Sequence, residues 1–88
     1  MARPPKIPLV HVWWVDSTVI NGWRHMADIE KEPVSTQCQT VGWLVKETKE
    51  ELQVAGSVGD LNDPHMQVTC RMTIPRCAVA KMKRLRHD

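Results

Sequence analysis

The chain has no Phe and no Tyr, so four tryptophans supply all the aromatic surface of its 88 residues. Each indole is therefore a large share of what can be buried or used for binding. Glycine is also scarce, at four residues, and nothing in the sequence resembles a glycine-rich phosphate loop or a low-complexity tract. The three cysteines, Cys38, Cys70 and Cys77, are odd in number and form no C-x-x-C pair. That excludes a closed disulfide framework and the usual zinc-ribbon spacing. Cys70 is expected to be a small buried apolar residue. No apolar run nears the ~20 residues of a membrane helix, and MARPPKIP lacks the apolar core of a secretory leader. The expectation is a cytoplasmic protein, with reduced thiols and no membrane association.

Catalytic signatures are missing as well. The sequence shows no G-x-S-x-G elbow and no H-E-x-x-H helix. His11, His25, His65 and His87 are scattered, and Ser17, Ser35 and Ser57 have no adjacent base. The chain is read as a non-enzyme with no catalytic residue, no metal site and no cofactor.

What is present is unevenly charged. Residues 1–70 carry six Lys/Arg against nine Asp/Glu, net −3, and residues 71–88 carry six against one, net +5. The basic end suits an anionic ligand or a phosphate backbone. A solvated last strand is the plainer explanation. The acidic DIEKEP and KEE segments count against a dedicated nucleic-acid binder.

The chain length fits one domain, with residues 1–8 as a mobile arm and 9–86 as the folded unit. PLVHVWWV (8–15) is β-branched and aromatic, as strands are. TVGWLVKE (40–47) and ELQVAGSV (51–58) flank Thr48-Lys49-Glu50 and predict a hairpin. HMQVTCRMTI (65–74) alternates, with Met66, Val68, Cys70, Met72 and Ile74 on one face. Asn21-Gly22 is a turn dipeptide inside a long first connection. After Pro75, residues 76–80 suit one short helical turn, and Lys81–Leu85 a last strand. This predicts a mainly β fold: a small five-stranded antiparallel barrel, since closure hides the sheet edges.

The order of elements resembles the small barrels of the Sm and Src-homology type, and TIPRCAVAKMKRL (73–85) looks like their short-helix-then-strand ending. WWVDS, the GW at Gly22-Trp23, VGWLVKET and IPRCAV together are similar to small, largely uncharacterised proteins of tailed bacteriophages. That resemblance implies a fold and a phage setting, with the host cytoplasm as compartment, and it implies no catalytic residue.

Strand phase sorts the indoles. Val10, Val12 and Trp14 share one wholly apolar register, which assigns Trp14 to the core and sets Trp13 outward beside His11. In the second strand Val41, Trp43 and Val45 share a register, so Trp43 is expected in the core. The candidate ligand-binding residues are then Trp13, Trp23, Arg24, His25, His11 and Arg71. Indole faces stack on bases or cations, and Arg and Lys pair with phosphate. For Trp23, capping the barrel mouth competes with clamping a ligand. For Trp13, a subunit interface competes.

The leading functional reading is a homo-oligomeric binding protein that holds an anionic nucleotide-type ligand between subunits. In the phage setting it would sequester a host immune signal, a task needing affinity but no turnover. The alternatives are a nucleic-acid-binding small barrel and a module that grips a host or virion protein by an edge strand.

Overall fold

The computed structural model describes residues 7–32, 35–60 and 65–86. Five strands form one antiparallel sheet: β1 (Leu9–Asp16), β2 (Thr36–Glu47), β3 (Glu51–Gly59), β4 (Gln67–Pro75) and β5 (Val79–Leu85). A one-turn helix, α1 (Met26–Ile29), lies between β1 and β2, and a 3-10 turn (Arg76–Ala78) links β4 to β5. The strand order is β4-β3-β2-β1-β5. The first strand of the chain thus sits inside the sheet, with β2 on one side and β5 on the other. The sheet is open, with β4 and β5 as its edges.

β1 occupies that place because both its faces suit it. Val10 and Val12 are fully buried and pack with Leu44, Leu52, Val54 and Ile74, with Trp14, Ala78, Val79 and Met82 at the margin. Burying a side chain of this size is worth ~1.5–3 kcal/mol. Pro8 belongs to this sheet rather than to a free arm, since Leu44 N donates to Pro8 O at 2.8 Å. The rest of the expected arm, residues 1–6, lies outside the described residues.

β2 is long because it serves two neighbours. Its first part, from Thr36 to Trp43, pairs with β1, and its last part, from Trp43 to Glu47, pairs with β3. Gly42 makes the changeover possible. A Cβ there would lie 2.5 Å from Val54 Cγ1 and 2.7 Å from Ala55 O. This close approach corrects the expected phase of the strand. Gly42 and Leu44 are buried, Trp43 is half-buried, and Val41 is 55% exposed. The large apolar set Val41, Trp43 and Val45 faces out because only a residue without a side chain fits beneath β3.

The β2–β3 hairpin forms as expected. Thr48 N donates to Glu51 O at 2.9 Å, and Thr48 Oγ1 accepts from Glu50 N and Glu51 N at 3.2 and 3.1 Å. Such a side-chain-to-backbone bridge closes a tight turn without glycine. The β4 alternation is less regular than expected. Cys70 has φ 57°, a left-handed conformation rare for a side-chain-bearing residue, and is exposed rather than buried. The pairing skips from Ala55–Arg71 to Ser57–Thr69 around it, and of the expected inward set only Ile74 is buried.

Asn21-Gly22 does not close a hairpin. Gly22 takes φ 106°, a bend within the excursion that runs from Ser17 to α1 and back to β2.

Gly42→Ala is expected to cost about 1–3 kcal/mol, because both the Val54 side chain and the Ala55 carbonyl must move. Gly59→Ala, where a Cβ meets nothing within 4 Å, is expected to be neutral or mildly stabilising. Urea unfolding followed by circular dichroism checks the pair, and equal effects would contradict the close approach.

Candidate functional site

Directly paired residues of an antiparallel sheet share a face, so the register fixes what lies outward of β1. Gln39, Trp13 and Lys81 make one row across β2, β1 and β5; Val41, His11 and Lys83 make the next; Trp43, Leu9 and Leu85 make a third. The His11 imidazole stacks on the Trp13 indole with centroids 3.7 Å apart and planes 13° from parallel. Lys81 Nζ stands over the same indole, 5.0 Å from its centroid, within cation–π range. His11 Nε2 meets Gln39 Oε1 at 2.9 Å, which fixes the imidazole plane.

A β-bulge sharpens this place. The β1–β5 register shifts between Trp13 and Trp14, so that Trp13 pairs with Lys81, Trp14 with Val79, and Ala80 is left over. Bulges re-aim neighbouring side chains and often border functional sites. Beside it lies a cleft of about 190 Å³, lined by Trp13, Gln37, Gln39 and Ala80 and at its end by Trp14 and Cys38. Ligand pockets usually enclose ~300–1,000 Å³, and this cleft is smaller. Trp14, on the other face, packs against the core and donates from Nε1 to Thr40 Oγ1 at 2.9 Å.

The other candidates lie elsewhere. Trp23, Arg24 and His25 belong to the excursion between β1 and β2. Thr18 Oγ1 and Thr36 Oγ1 lie 3.0 Å apart and close its base. Arg24 Nε pairs with Glu32 Oε1 at 3.1 Å, and Arg24 Nη1 donates to Trp23 O at 3.0 Å. Trp23 is 99% exposed, so it does not cap its own chain as one of its two expected roles required. Shallow depressions flank it, one lined by Ile20, Gly22, Arg24, Ile29 and Glu32, another by Arg24 and His25.

Arg71 is on β4 in the row of Trp43 and Ala55, and donates to Gln53 Oε1 at 3.5 Å. Three strand spacings and two rows along the strands put its backbone roughly 20 Å from that of Trp13. It is not part of the platform. Lys81 and Gln39, by contrast, are residues the sequence reading missed. The sequence places Lys81 in the last strand, but only the β1–β5 pairing sets it beside Trp13.

Among the described residues no group of three or more His, Cys, Asp and Glu side chains gathers as metal ligands do. No helix among them is long and apolar enough to cross a membrane. No protein-family model matches the chain, and no curated protein and no solved structure matches it significantly.

The two indoles of contrasting burial should separate in stability. Trp14→Ala is expected to cost ~2–4 kcal/mol, through lost packing and the lost hydrogen bond that the indole donates to Thr40. Trp23→Ala should change the unfolding free energy of the dilute, unassociated chain by less than about 0.5 kcal/mol. Denaturant unfolding at low protein concentration checks both. A large loss from Trp23→Ala would mean that this indole covers the fold.

Proposed function

We propose that the chain is a non-enzymatic binding protein whose outward β1 platform takes an anionic, nucleotide-type ligand at a contact between subunits. The observation that carries this is the His11–Trp13 stack with Lys81 over the indole. A flat heteroaromatic ring extends such a stack, and a phosphate attached to it draws Lys81 and Lys83, which lie in adjacent rows of the same face. Gln39, already oriented toward His11, offers an amide to a base edge. The small volume of the cleft supports a site completed by a second subunit.

The finer fold reading belongs with this proposal. The edges β4 and β5 are joined only by the 3-10 turn, and Arg76 N donates to Glu50 O at 2.8 Å, tying that turn to the β2–β3 loop. Closing those edges gives the small Sm or Src-homology-type barrel that the order of elements resembles. The resemblance to tailed-phage proteins supplies the setting. A protein that sequesters a host nucleotide signal has to bind it and has no need to transform it.

A second reading has its own observation. Lys81, Lys83, Arg84 and Arg86 run along β5 and its end, next to the half-buried His11 and Trp13, as in small barrels that bind single strands. A strongly salt-dependent gel shift with generic RNA or DNA would favour it.

A thermal-shift screen against linear and cyclic ribonucleotides tests the first reading. At 100-fold excess over Kd, a ligand adds ~2.7 kcal/mol of stability. Trp13→Ala and Lys81→Ala are each expected to weaken the bound nucleotide by about tenfold or more, a loss of ~1.4 kcal/mol. Arg71→Ala should leave the affinity within about twofold. If no nucleotide raises the melting temperature, this function is wrong.

A further inference from the structure

The excursion between β1 and β2 is an apolar arm without a cover. Val19 is 83% exposed, Ile20 49%, Trp23 99%, Met26 81% and Ile29 47%. α1 within it has four residues and buries none of them. Short helices are unstable in water without a packed face, and apolar side chains clustered this densely on a surface mark a contact.

Charge says what fits the arm. From Ser17 to Glu32 it carries Asp28, Glu30 and Glu32 against Arg24 and Lys31, net −1. From Arg76 to Arg86, across β5, there are five basic residues and no acidic one, net +5. Within the chain Arg24 is paired with Glu32 and Arg76 with Glu47. That leaves Asp28 and Glu30 against Lys31 on the arm, and Lys81 and Lys83 on the outward face, where they pair with Trp13 and His11. The outward face beside β5 also offers an apolar row, Leu9, Leu85 and Trp43, next to the 55% exposed Val41. An apolar, acidic arm and an apolar, basic face are complementary, and both belong to this chain.

We infer that the arm of one copy packs on the outward β1–β5 face of a second copy, closing a homo-oligomer. The contact lays Trp23 and Arg24 of one chain near the Trp13–Lys81 platform of the next. That enlarges the small cleft and explains why the two aromatic sites are apart in the single chain. The inference rests on the proposed function only for what the enlarged cleft holds. The assembly stands on the arm's own chemistry.

The test is assembly of the full-length chain with two opposite charge reversals, read by sedimentation velocity without any ligand. One variant carries Asp28→Lys and Glu30→Lys on the arm; the other carries Lys81→Glu and Lys83→Glu on the outward face. All these positions are exposed, and circular dichroism verifies that each variant is folded. The wild type is expected to associate, more weakly at high salt. Each variant alone should dissociate, with a Kd at least roughly tenfold higher, because its arm and its face now repel. Mixed in equal amounts, the two should associate again, since every arm then meets an opposite charge on its neighbour. As a control independent of charge, Val19→Ser with Met26→Gln should also give monomers. A wild type monomeric at its highest soluble concentration would overturn the inference. So would variants that associate as the wild type does, or a mixture that stays dissociated. None of these readings involves a nucleotide, so their failure leaves the ligand-binding reading to its own thermal-shift result.

Discussion

Everything in this molecule depends on β1 being hydrogen-bonded on both sides. A strand placed between β2 and β5 has two faces and no free edge, so each of its side chains must go to one layer or the other. Val10, Val12 and Trp14 take the core side, and His11 and Trp13 take the outer side. The core they enter is small. Among the described residues Val10, Val12, Leu44, Leu52, Val54, Ala55 and Ile74 are its buried apolar members. A core of this size has no room for four indoles, and the surplus aromatic surface goes outside, where it can bind.

How far the sequence disclosed this varied with the local physics. The phase of β1 was legible because only one of its two registers is wholly apolar. The β2–β3 hairpin was legible because a short charged turn separates two apolar runs, and the 3-10 turn before β5 because Pro75 stops the strand ahead of it. β2 misled because both of its registers are plausible. Three large apolar residues, Val41, Trp43 and Val45, outweigh Gly42 and Leu44 on hydropathy, yet the bare backbone of Gly42 is what β3 can approach. Cys70 misled for a related reason. Its left-handed φ breaks the alternation of β4, and nothing in the residue type announces that conformation.

The candidate site was legible by residue and illegible by grouping. The outward Trp13 with its neighbour His11 follows from alternation within one strand. That Lys81 and Gln39 join them, and Arg71 does not, is a property of strand order, which brings β5 to β1 and leaves β4 on the far edge. The arm bearing Trp23, Arg24 and His25 is a third case. Its apolar residues are visible in the sequence, but only the structure shows that its own sheet does not cover them. The aromatic–cationic platform on the sheet and the aromatic residues of the arm are thus two separate surfaces of the single copy.

The central claim is that the outward indole Trp13 receives a ligand while its inward neighbour Trp14 holds the fold. The four indole N–H resonances of the 15N-labelled protein report it directly, because each tryptophan gives one peak. Titration with the nucleotide that most raises the melting temperature should shift the Trp13 peak, and leave in place the Trp14 peak, whose N–H is donated to Thr40. A Trp13 peak that stays still at saturation, or a shift confined to Trp14, would contradict the account.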